Sequence, residues 1–119
     1  MASVTIFVSR NGNSKNIKLR DSEGHNPGND DLTTTVDPGD TVTWELDTNS
    51  GLGSIVSIAK KASSPNNLFS SITSEDDIFF GTVVSVSPGK GQYETYAVQY
   101  TIPGDTTVYS DDPKIQMDK

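Results

Sequence analysis

The sequence predicts an all-β domain, an antiparallel β-sandwich of seven to eight strands. Three observations carry that expectation. Apolar and polar residues alternate through most of the chain, helical spacing is nearly absent, and the alternating runs are separated by turns rich in Gly, Pro, Asn and Asp. The 119 residues form one domain spanning 1–119, long enough to bury a core without disulfides, and the chain has no cysteine.

The elements follow in order. "SVTIFVS" sets Val4, Ile6 and Val8 on one face and Thr5 and Phe7 on the other. "RNGNSKN" is turn chemistry, with Asn-Gly supplying a positive φ, and "NIKLR" is a short second strand. "DSEGHNPGNDD", residues 21–31, reads as a polar loop, and "LTTTV" as a β-branched strand after it. "DPGD" makes a tight turn, with proline fixing one φ and glycine freeing the next. In "TVTWEL" Val42, Trp44 and Leu46 point one way, and "SIVSIAKK" is a further strand.

Residues 62–77, "ASSPNNLFSSITSEDD", read as one long irregular connection, with room for a helical turn near Pro65. "IFFGTVVSVS" and "QYETYAVQYTI" are strands joined through "PGKG"; in the second, Tyr96, Val98, Tyr100 and Ile102 share a face. "TVYS" and "KIQMD" close the chain. Asp112-Pro113 favours an extended start to that last strand, because proline bars its predecessor from the helical region.

Charge removes some functions. Nine basic residues against sixteen acidic ones give a net charge of −7, which repels phosphate backbones and anionic lipid, so no nucleic-acid partner is expected. No apolar run reaches the roughly 20 residues that span a bilayer. The N-terminus is too interrupted for a signal-peptide core and reads as a strand from Ser3. No membrane association and a cytoplasmic location are the expectations.

The order "VDPGDTVTW", a late aromatic strand and a short final strand resembles the cupredoxin-like β-sandwich; an immunoglobulin-like topology is the alternative. The cupredoxin resemblance implies copper ligands in two loops, histidine after the tryptophan strand and cysteine, histidine and often methionine after the late strand. Here those loops read "ELDTNSGLGS" and "PGDTTVYSDDPK", without histidine or cysteine. His25 stands in another loop and Met117 in the closing strand. A blue-copper centre needs two imidazoles and a thiolate, so copper is excluded as a cofactor. A second resemblance, to the bacterial inclusion-body protein family, rests on Gly39, Asp40, Thr41, Trp44, Tyr109, Asp112, Pro113 and Ile115, and on the segment "YAVQYTIPGDTTVYSDDPKIQM". It implies a cytoplasmic, non-enzymatic protein that self-associates.

The candidate sites have competing readings. Trp44 suits a sugar-stacking platform, but its shared face with Val42 and Leu46 assigns it to the core. Tyr96 and Tyr100 are assigned there too, and Tyr93 and Tyr109 to the surface. His25 reads as a solvated turn residue. Asp21/Glu23, Asp30/Asp31, Glu75/Asp76/Asp77 and Asp111/Asp112 fall in loops; Asp30, Asp31, Asp76 and Asp77 are the candidate calcium ligands, against the plainer reading of solvated loop charge. Glu45 and Glu94 are the strand-borne carboxylates a glycosidase would need, read here as outward solubilising charge. No "G-x-S-x-G" elbow is present. The sequence therefore predicts a non-catalytic structural or interaction module, partnered by itself or by another protein, with a calcium- or carbohydrate-binding module as the alternative.

Overall fold

A computed structural model describes residues 3–61, 67–76 and 78–119. The strands are β1 (Ser3–Arg10), β2 (Ile17–Asp21), β3 (Thr33–Val36), β4 (Thr41–Leu46), β5 (Ser54–Lys60), β6 (Phe69–Glu75), β7 (Ile78–Val83), β8 (Tyr93–Thr101), β9 (Val108–Asp111) and β10 (Lys114–Met117). They form two sheets, β2-β1-β4-β7-β6 and β3-β10-β8-β5, with β9 also paired to β8. Both sheets contribute to one core, giving a sandwich-like all-β fold.

Two expectations are corrected. There are ten strands among the described residues, not seven to eight, and the sheets are mixed rather than antiparallel. β1 runs parallel to β4, and β3 runs parallel to β10. Alternation reports which face a side chain takes and says nothing of a neighbour's direction, so the parallel pairs were invisible. The strand that no alternating run announced is β6, inside the segment read as irregular. Ser70, Ser71, Thr73, Ser74 and Glu75 are exposed, because a strand at the edge of a sheet needs little apolar alternation. The helical turn considered near Pro65 lies outside the described residues.

The inward faces follow the sequence pattern. Val4, Ile6 and Val8 of β1, Val42 and Trp44 of β4, and Tyr96, Val98 and Tyr100 of β8 are all buried. At the centre the Trp44, Phe69 and Tyr96 rings meet edge to face, with centroids 5.3–6.1 Å apart. The Trp44 indole N–H donates to Tyr96 Oη at 3.1 Å, which satisfies a polar group sealed from water. Gly81 makes room for this trio: a Cβ there would lie 2.8–2.9 Å from the Phe69 and Trp44 rings.

The turn before β4 is built as the sequence implies. Gly39 takes φ 84°, and the Asp37 N–H donates to Asp40 Oδ2 at 2.8 Å. Asp112 and Pro113 separate β9 from β10. Both strands pair with β8, and the Pro113 carbonyl accepts the Tyr96 N–H at 3.1 Å.

Candidate functional site

A two-sheet sandwich has two open flanks, where the edge strands of one layer face those of the other. Here one flank carries β2 and β3, and the other β5 and β6. On the first flank the N–H groups along the β2 edge are occupied, and so is that of Thr35 in β3. Ile17 N–H donates to Asp111 Oδ2 at 3.1 Å, Leu19 N–H to the Asn29 carbonyl at 2.9 Å, and Asp21 N–H to the His25 carbonyl at 3.0 Å. Thr35 N–H of β3 donates to Glu23 Oε1 at 3.1 Å. Polar side chains thus do there what a further strand would do.

The centre of this seal is the stretch "DSEGH", residues 21–25. Gly24 takes φ 98°, which folds the chain back so that Asp21, Glu23 and His25 converge. The Asp21 carboxylate is wholly buried. Its Oδ1 accepts the Glu23 and His25 N–H groups, both at 3.0 Å, and its Oδ2 accepts the Thr34 hydroxyl at 2.8 Å. His25 Nδ1 lies 2.9 Å from Asp21 Oδ2 and 3.6 Å from Glu23 Oε1. Glu23 is oriented in turn by the Thr35 hydroxyl at 3.0 Å. Among the described residues this is the only group of three or more His, Cys, Asp or Glu side chains that converges, one potential ligand atom from each lying within 4.8 Å of the others.

The reading of Asp21 as a solvated loop residue is corrected, while Glu23 and His25 stay exposed in the turn after β2, as expected. Asp21 ends β2, and its carboxylate sits under the loop. A signal was present: Ile17, Leu19 and Asp21 fall on alternate positions, so the inward face of β2 runs into the carboxylate.

The opposite flank holds a second buried carboxyl. Glu94 is also corrected: it faces inward on β8, fully buried, rather than outward. Its Oε1 accepts the Leu68 N–H at 2.5 Å, while the Lys60 ammonium donates to the Phe69 carbonyl at 2.6 Å. Oε2 has no partner among the described residues. Burial pushes the Glu94 carboxyl above the usual range, against the backbone N–H groups of Leu68 and Phe69 and the Lys60 charge, which favour ionisation. Here too the parity was legible, since Glu94 precedes Tyr96 by two.

The calcium candidates are not brought together among the described residues. Asp30 and Asp31 lie in the β2–β3 loop, and Asp76 follows β6 at the far edge of the first sheet. Asp77 lies outside the described residues. Glu45 stands half-buried on the outer face of its sheet, turned away from Glu94. Tyr93 is exposed as expected; Tyr109 is half-buried and stacks on Tyr100 at 6.0 Å. The loops after β4 and β8 share one end of the molecule, where Gly53 N–H donates to the Thr101 carbonyl at 2.9 Å. At that end Asp111, pushed up by burial, accepts the Tyr100 hydroxyl at 3.1 Å. On the outer rim Arg20 forks onto Asp47 with two bonds of 2.9 Å, holding that carboxyl below the usual range.

Set against known families and curated proteins, the sequence matches no family model and no curated protein.

Proposed function

We propose that this chain is a non-catalytic protein-interaction module that self-associates by adding a strand along β6. The observation that carries the reading is the inequality of the two flanks. β2 has the N–H groups of Ile17, Leu19 and Asp21 taken one by one and β3 that of Thr35, whereas β6 is a seven-residue edge strand that pairs, among the described residues, with β7 alone. Such an edge is a template for another strand. From Phe69 to Ser74 it carries no charge, so on a chain of net charge −7 a second copy approaches it with the least repulsion. Read as two antiparallel copies centred on Ile72, its sequence sets Ser71 opposite Thr73 and Ser70 opposite Ser74, pairs that hydrogen-bond across strands.

The two resemblances support the same reading. A cupredoxin-like sandwich is favoured by the tryptophan strand β4 and the late strand β8, which send their loops to one end of the molecule. Those loops offer no imidazole or thiol, so a copper-less member of that fold is proposed. The inclusion-body resemblance adds a cytoplasmic protein that accumulates by self-association. A non-catalytic role is favoured because the two carboxylates a glycosidase would use face away from each other.

Sedimentation across a concentration series tests the proposal. The expected result is a reversible dimer or larger assembly, lost in the Ser71→Lys/Thr73→Lys double variant with the melting temperature unchanged. A protein that stays monomeric to millimolar concentration overturns it.

A further inference from the structure

We propose that Asp21, Glu23 and His25 form a binding site for a divalent transition ion, zinc, on the β2–β3 flank. The inference is independent of self-association through β6. Three features distinguish the cluster from ordinary surface acid.

First, the donor set is one imidazole nitrogen and two carboxylate oxygens, a combination that suits zinc rather than calcium, which takes six to eight oxygens. Secondly, the spacing fits. Zinc bonds of about 2.0–2.2 Å in a tetrahedral arrangement set ligand atoms roughly 3.3–3.6 Å apart. His25 Nδ1 stands 3.6 Å from Glu23 Oε1 and 2.9 Å from Asp21 Oδ2, and the three donors lie within 4.8 Å of one another. The exposed Glu23 and His25 side chains are the ones that adjust to convert this set into a coordination shell.

Thirdly, Asp21 offers a rigid anionic ligand. Its carboxylate has no solvent exposure, and its ion-pair partner among the described residues is His25, with no lysine or arginine. Its two oxygens are held in place by the Glu23 and His25 N–H groups and the Thr34 hydroxyl, so the carboxylate is a fixed, pre-oriented ligand. Zinc seated between Asp21 Oδ2, Glu23 and His25 takes the place of the His25 Nδ1 contact with Asp21 and leaves the Thr34 and backbone hydrogen bonds in place.

The outer groups are those a metal site requires. Thr34 orients Asp21, and Thr35 orients Glu23 through both its hydroxyl and its backbone N–H. Glu23 and His25 keep 29% and 45% of their side-chain surface in solvent, which leaves an open fourth position for water. All three ligands come from one five-residue stretch, so binding needs no movement of the sheets.

Zinc titration calorimetry of the full chain, in a weakly coordinating buffer, tests the assignment alongside nitrogen NMR of the single imidazole. The expected result is one equivalent bound, with the His25 ring signals shifting in proportion to occupancy. His25→Gln and Glu23→Gln should each weaken binding by at least about tenfold. The Asp30→Asn/Asp31→Asn double variant should bind as the parent does, and tenfold excess magnesium should not displace the ion. Both ligand variants alter partly exposed side chains, and circular dichroism confirms their fold. No saturable zinc binding at millimolar metal, or binding undiminished in His25→Gln, overturns the proposal.

Discussion

The Thr34 hydroxyl donates to Asp21 Oδ2 at 2.8 Å, joining β3 of one sheet to β2 of the other through a bond with no access to water. Apolar contact between two layers is non-directional and leaves their relative slide open. A buried, charge-assisted bond of fixed length supplies a direction to the packing.

Thr34→Val keeps the shape and removes this donor. The expected cost is about 1.5–3 kcal/mol, because the lost bond is to a charged acceptor sealed from water. Urea unfolding measures it. A change within experimental error would mean that the flank is held by its apolar neighbours alone.

Gly81→Ala tests the aromatic trio from the other side. The position is not in the left-handed region, so its backbone accepts alanine, but the new Cβ meets both rings at under 3 Å. Overpacking of this kind costs about 1–3 kcal/mol. The near-ultraviolet circular dichroism of Trp44 should change with it, since the ring must move.

Glu94 sets a pH dependence. Its folded pKa is raised above the unfolded value, so the folded state holds the extra proton in the window between the two. Stability is therefore full below the ordinary glutamate range, near pH 4.3, and falls as pH rises through the raised folded value. Asp111 adds a fall of the same sign, while Asp47, whose carboxyl is held down by Arg20, acts oppositely at lower pH. Glu94→Gln should flatten the fall. Unfolding free energies measured from pH 4 to 8 decide it, and an unchanged slope would place the titration elsewhere.

Much of the fold was legible in the chain. The inward positions of β1, β4 and β8 follow from alternation, the "DPGD" turn from its proline and glycine, and the break between β9 and β10 from Asp112-Pro113. β6 was not legible, because an exposed edge strand of serine and threonine leaves no apolar signature. The candidate site was half legible. Parity pointed Asp21 and Glu94 inward, but charge argued for solvent, and the partners that make burial tolerable, Thr34 and the Leu68 N–H, come from 13 and 26 residues away.

The sequence by itself determined an all-β chain, the faces of its main strands and the lack of thiolate or paired-imidazole chemistry. Each of these depends on residue type and on a period of two along the backbone. Only the tertiary structure decided strand direction, the order within each sheet and the convergence of Asp21, Glu23 and His25 beside Thr34. Those depend on which distant segments the two layers bring together, and no local pattern encodes that choice.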